Sequence, residues 1–171
     1  MKIIFTLSLI LLGLQCHAQS PKEEAYRVLG ELVGGVWTYE GKWSSGESFK
    51  QEIKFYWGLD QHIIKLQTYG VINQDTKAYG LRNEGIRAWD ASLGKMKFIE
   101  FDVFGGVTEG YCVFEADQFH YEYQYEVEGQ MHTFRDTWRK IDNDSYEFSV
   151  KMKIEEGWKT YTTNVYKRIT D

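Results

Sequence analysis

From Val36 to the C-terminus, apolar and polar residues alternate with a period of two in runs separated by tight turns rich in Gly, Asp, Asn and Ser. Read as half-buried strands, the runs are about ten in number. They cover Val36 to Trp43, Glu47 to Trp57, His62 to Val71, Ala78 to Trp89, Lys95 to Phe104, Val107 to Phe114, Gln118 to Val127, Gln130 to Lys140, Ser145 to Ile154 and Trp158 to Ile169. Ser44-Ser45-Gly46, Gly105-Gly106, Glu128-Gly129 and Glu155-Glu156-Gly157 read as hairpin turns, where glycine supplies positive φ at little cost. Short turns make sequential strands neighbours. A train this long, with no helix between its strands, predicts an all-β fold: an antiparallel up-and-down barrel.

Ahead of the strands the period changes. Ser20-Pro21-Lys22-Glu23 has Ser at the N-cap, Pro at the first helical position and Glu where a capping box needs it. Ala25, Val28, Leu29 and Leu32 then share one face. The pattern predicts a short helix, ended by Gly34-Gly35, that plugs or flanks one end of the barrel. Still earlier, Lys2, the apolar run Ile3 to Leu14 and Cys16-His17-Ala18 have the three-part layout of a secretory signal. The expected organisation is therefore a signal peptide over residues 1–18 and one barrel domain over 19–171, secreted or periplasmic. Lipid anchoring at Cys16 is the alternative.

Composition narrows the partners. The net charge is −5 and Lys and Arg are scattered along the strands, which argues against nucleic acid, since that needs a concentrated basic face. After the first residues no run is apolar and long enough for a transmembrane segment. Of the two cysteines, Cys16 leaves with the signal, so Cys112 has no intramolecular partner. Stability then rests on packing, for which 16% aromatic residues are ample.

The hairpin around Glu128-Gly129 concentrates polar-aromatic residues. A two-residue loop sets Tyr125 opposite His132, Tyr123 opposite Phe134, Tyr121 opposite Asp136 and Phe119 opposite Trp138, all on one face. The other face pairs Glu122 with Arg135 and Gln124 with Thr133, a solvent pattern, so the aromatic face is placed inside. It reads either as a core whose Tyr hydroxyls are satisfied by His132 and Asp136, or as a pocket with rigid aromatic walls and a few polar groups. The register of the last strand stays open: a two-residue turn aligns Tyr161 and Thr163 with Tyr146, Phe148, Val150 and Met152, and a three-residue turn aligns Thr160, Thr162 and Asn164. Around Gly105-Gly106, Asp102 is expected opposite Glu109, with Glu100 and Arg87 on the same face; the group reads as solvated, and if buried one carboxyl would have a raised pKa, as a general acid needs. His62, His120 and His132 assemble no local metal site, and Cys112 reads as a small buried hydrophobe.

Gly35-Val36-Trp37 opening the first strand, with Arg168 near the end of the last, resembles the calycin pattern of lipocalins and fatty-acid-binding proteins. The resemblance implies an indole across the barrel floor with the guanidinium stacked on it, closing that end. Leu32-Val33-Gly34-Gly35-Val36-Trp37, Ala88-Trp89-Asp90 and Gly157-Trp158 are similar to a bacterial family of secreted domains of unknown function. Asn83-Glu84-Gly85-Ile86-Arg87 and Gly106-Val107-Thr108-Glu109-Gly110 resemble nitrobindin, a ten-stranded haem-binding barrel. That resemblance implies an iron-ligating histidine on the final strands. None follows His132, so His132 or Tyr161 would have to serve.

The leading expectation is a binding protein for a small apolar or amphipathic ligand. Tyr121, Tyr123, Tyr125, His132, Phe134, Asp136 and Trp138 line its cavity, Trp37 and Arg168 close one end, and the residues themselves imply no cofactor, metal or catalytic group. The alternatives are an enzyme using His132 and Asp136 for acid-base work on a carbonyl or ester, the haem barrel, and a solidly packed barrel that acts through its surface.

Overall fold

In a computed structural model describing residues 19–42 and 46–170, the alternation becomes ten strands after one helix. They are α1 (Pro21–Gly30), β1 (Val36–Lys42), β2 (Ser48–Gly58), β3 (Ile63–Val71), β4 (Tyr79–Asp90), β5 (Lys95–Asp102), β6 (Val107–Phe114), β7 (Gln118–Val127), β8 (Gln130–Asp142), β9 (Ser145–Ile154) and β10 (Gly157–Ile169). Each strand pairs antiparallel with its neighbours in sequence. β1 joins β10 through Val36 to Ile169, Trp37 to Arg168 and Thr38 to Lys167, so the sheet closes and leaves no edge. The expected antiparallel barrel is the observed fold. The signal expected over residues 1–18, the anchor position Cys16 and Trp43 lie outside the described residues. Among the described residues no helix is long and apolar enough to cross a membrane.

The capping box forms as its residue types require. Ser20 Oγ accepts from the Glu23 amide at 3.3 Å, and Glu23 Oε2 accepts from the Ser20 amide at 2.9 Å. The helix ends at Gly30, earlier than expected, and a turn carries the chain on to Gly34 and Gly35. Both adopt positive φ, +89° and +71°. At Gly35 a Cβ would sit 2.8 Å from the Ile169 carbonyl and 3.0 Å from Arg168 Cγ. Glycine is needed there because the chain bends beneath the last strand.

That bend seals one end of the barrel. Trp37 is fully buried, donates its indole N–H to the Leu32 carbonyl at 2.7 Å, and carries the Arg168 guanidinium 4.4 Å above its ring. Arg168 also donates to the Glu31 carbonyl, tying β10 to the helix exit. Leu29 and Leu32 press inward beside Trp37, while Tyr26 donates to the His62 carbonyl and accepts from the Trp89 amide at 3.2 Å. Above this plug, Trp138 stacks parallel to Phe119 at 6.3 Å and packs on Phe148 at 4.9 Å and Tyr166 at 5.3 Å. Phe98, Met96 and Ile64, all but fully buried, complete the lower half.

One register departs from expectation, and one left open is resolved. The β5–β6 turn runs over residues 103–106, so Glu100 faces Thr108 and Ile99 faces Glu109. Its length is set by Asp102, whose Oδ1 accepts from the Phe104 and Gly106 amides, each at 2.8 Å. Glu109 is therefore not opposite Asp102. It points outward and pairs with Lys97 at 2.9 Å. On β10 both candidate registers occur: Gly157 to Thr160 follow a two-residue turn, then a bulge at Tyr161 shifts the strand so that Thr162, Asn164 and Tyr166 face Val150, Phe148 and Tyr146.

Candidate functional site

The inward positions change character halfway up the barrel. At the closed end they are Trp, Phe, Met and Leu. Toward the far mouth they become Gln51, Asn83, Glu100, Asp136, Thr162 and Asn164, set among aromatic rings. Side chains of these sizes do not fill the section. A cavity of about 410 Å³ opens at the mouth, and a deeper pocket of about 110 Å³ shares Gln51, Asn83, Glu100, Tyr121, Asp136 and Phe148 with it. The interior is thus not packed solid, and the larger volume falls within the range of small-molecule sites.

The hairpin β7–β8 has the register expected of it, from Phe119 facing Trp138 to Tyr125 facing His132. Tyr121, Tyr123, Tyr125, Phe134 and Asp136 line the larger cavity. Trp138 lies deeper, on the wall of the small pocket and within the packed core. His132 sits near the mouth, its ring 6.4 Å from that of Phe134, and does not border the cavity. Phe134 stands between His132 and Asp136 on the same face of β8, which separates the two by about 13 Å of strand. No acid-base dyad forms between them.

The polar heart of the site comes from strands on which sequence reasoning placed no site residue. Arg87 on β4 is only 3% exposed and donates to Glu100 on β5 and to the Ile86 carbonyl. Its guanidinium lies 5.3 Å from the Phe98 ring centroid and 5.1 Å from that of Tyr121. Asn83 donates to the other oxygen of Glu100 at 2.8 Å. Arg87 and Glu100 share a face as expected, but they are buried rather than solvated. Gly85 makes room: a Cβ there would fall 2.5 Å from Glu100 Cγ and 2.7 Å from the Ile99 carbonyl. A side chain at this position would push Glu100 away from Arg87.

Asp136 faces the same space from β8, 8% exposed, and accepts from the Tyr123 hydroxyl at 3.1 Å. Burial and the nearby Glu100 charge push its carboxyl up to about 8, while hydrogen bonds from Tyr123 and Tyr121 and the charge of Arg87 pull the other way without prevailing. Desolvation and the surrounding carboxylates hold the Tyr121 and Tyr123 hydroxyls protonated. Burial also raises the Cys112 thiol to about 11, which makes it a poor nucleophile. Nearer the mouth, Tyr125 donates to Asp102 Oδ2 at 3.0 Å and Arg82 lies over the Phe104 ring at 5.6 Å.

No family model matches this chain. No curated protein matches it either. The closed ten-stranded antiparallel barrel is consistent with a calycin or lipocalin-like fold. The residues do not fit the haem site that the nitrobindin resemblance implies. β9 and β10 present Phe148, Val150, Thr162 and Asn164 to the cavity and no histidine, and Tyr161, on the bulge, borders the mouth but is 73% exposed.

Within one lined space the arrangement offers flat aromatic walls, neutral hydrogen-bonding groups and a fixed Arg87–Glu100 pair. It also offers a carboxyl that can donate a hydrogen bond when protonated or take up charge when ionised. Sequence reasoning set Arg87 and Glu100 aside as solvated and did not single out Asn83 as a site residue. Their signal was present: single charged or amide residues at inward positions of otherwise alternating strands, next to a glycine that clears space for them.

Proposed function

We propose that this protein binds a small apolar or amphipathic molecule in the upper half of its barrel, and that it does so as a secreted or periplasmic protein after loss of residues 1–18. The observation that carries the reading is the cavity of about 410 Å³ with Tyr121, Tyr123, Tyr125, Phe134 and Asp136 on its wall. Binding draws on burial of the ligand against these rings and on a few hydrogen bonds to Asp136, Asn83 and Asn164. Trp138 serves as the floor, His132 stands by the entrance, and the Trp37–Arg168 stack keeps the far end shut. The three-part layout of residues 1–18 supports the same setting, with lipid attachment at Cys16 as its alternative.

Native mass spectrometry of protein purified from its own host tests the reading. The expected spectrum shows a small-molecule adduct on the wild type that is lost in Val150→Trp, a variant that fills the cavity from β9 while keeping the fold. Bare protein in both samples, with no uptake from an extract of the same cells, would overturn it. The intact mass also tests the leader: loss of residues 1–18 fits secretion, and a diacylglyceryl mass on Cys16 fits the anchored alternative.

A further inference from the structure

The charges inside the cavity do not balance. The lining carries three carboxyl groups, on Glu100, Asp102 and Asp136, against two cations: Arg82, over the Phe104 ring near the mouth, and the deep Arg87, which is committed to Glu100 and to the Ile86 carbonyl. Among the described residues, Asp136 receives hydrogen bonds from tyrosine alone, through Tyr123 at 3.1 Å and Tyr121. At the mouth, Asp102 is already saturated by the Phe104 and Gly106 amides and by Tyr125. A buried carboxylate without a cationic partner is costly, so the group either keeps its proton or acquires a cation. The faces of Tyr121, Tyr123 and Phe134 around it attract positive charge through their ring quadrupoles. An anionic ligand would add a further negative charge beside Glu100.

We propose that the cavity selects a protonated amine carried on a compact apolar or aromatic body, its ammonium seated against Asp136 and among the Tyr121, Tyr123 and Phe134 rings. The proposal rests on the binding reading above and names the chemical class of its ligand. The amine takes the place of the proton on Asp136, so binding releases a proton to solvent.

The groups facing Asp136 fix the sign of the pH dependence. Tyr121 and Tyr123 on β7 and Tyr166 on β10 stay protonated, as does Cys112 on β6 beside Arg87. From β4 Arg87 stays charged and Arg82 lines the cavity nearer the mouth, Glu100 faces Asp136 from β5, and the β9 neighbour is the apolar Val150. Asp136, pushed up to about 8 by burial and Glu100, is therefore the group whose ionisation amine binding draws upon. Amine affinity rises with pH toward 8, whereas a neutral ligand that accepts a hydrogen bond from protonated Asp136 weakens over the same interval.

The test uses three probes sharing a phenyl body: phenethylammonium, 2-phenylethanol and 3-phenylpropanoate, titrated calorimetrically into the wild-type protein. Phenethylammonium is expected to bind at least about tenfold more tightly than the other two at pH 8.5, and to gain on the order of 50-fold between pH 6 and pH 8.5. Near pH 7, buffers of different ionisation enthalpy should report close to one proton released per amine bound and none for the alcohol. Asp136→Asn should erase the preference for the amine while 2-phenylethanol still binds. The proton count needs no variant and stands even if Asp136→Asn misfolds. Tighter binding of the alcohol or the carboxylate, or amine affinity flat with pH, would overturn the amine proposal and leave the binding reading intact. Failure of all three probes, together with bare protein in the native mass spectrum, would overturn both.

Discussion

The two halves of this barrel are built by the same strands yet follow different rules. On the hairpin β7–β8, Phe119 and Trp138 lie at the closed end, their rings parallel and fully within the core. Tyr121 and Asp136 follow one step up, then Tyr123 and Phe134, then Tyr125 and His132 at the mouth. The lower rungs maximise ring packing and leave only the small pocket of about 110 Å³ beside Phe119 and Trp138. The upper rungs keep the aromatic bulk but add hydroxyls and a carboxyl, and across the barrel Asn83, Arg87 and Glu100 answer them. Stability is concentrated below and chemistry above. A packed floor can carry the cost of an unbalanced carboxyl above it.

This contrast is broken most severely from below. Trp138→Ala removes the ring on which Phe119, Phe148 and Tyr166 pack. It should cost about 3–5 kcal/mol, lowering the melting temperature by roughly 10 °C or more in a thermal scan. An effect comparable to a cavity-wall substitution such as Tyr125→Phe would mean that the floor is not the core.

The boundary between the halves comes next. Arg87→Met strands Glu100 and Asp136 together in the interior and should destabilise by about 3–5 kcal/mol at pH 8. The double variant Arg87→Met with Glu100→Leu should recover much of that loss in denaturant titrations, because the pair is then replaced by packed apolar volume. No recovery would show that Arg87 acts through the Phe98 and Tyr121 rings rather than through Glu100.

Asp136 gives an effect that depends on pH and has a distinctive sign. Its folded carboxyl titrates well above the ordinary value of 3.8, at about 8, so the unfolded chain ionises first as pH rises. The stability contribution is fully present below pH 4, is lost progressively as pH rises from about 4 to 8, and is flat beyond. Asp136→Asn should flatten that decline, making the variant the more stable protein at pH 9. A wild-type slope unchanged by the substitution would place the titrating group elsewhere.

The smallest effect is on the outer face of the same hairpin, where Arg135 pairs with Glu122 and lies 4.3 Å over the Trp158 ring. Glu122→Ala should cost about 0.2–1 kcal/mol, less in high salt. Measured beside Asp136→Asn, it separates the cost of charge inside the wall from charge outside it.

What could be read from residues follows the same physics. Period-two alternation is local, so the strands and the β7–β8 pairing were legible, the latter because Glu128-Gly129 permits a two-residue turn. The β5–β6 register was not, because the Asp102 side chain caps a longer loop and moves Glu109 outside. On β10 a bulge at Tyr161 joins two registers that look mutually exclusive in sequence. Arg87 and Glu100 carried the signature of solvated strand residues. Only closure of the barrel, with Gly85 opening space between adjacent strands, turns them into a buried pair.

The state of Asp136 is the most direct test of the division between floor and chamber. Carbon-13 NMR of its side-chain carboxyl, followed from pH 3 to pH 10 in the ligand-free protein, should give a midpoint near 8. A midpoint near the usual carboxylate value would mean that water or a counter-ion compensates the charge, and the upper half would not be the desolvated, charge-unbalanced chamber described above.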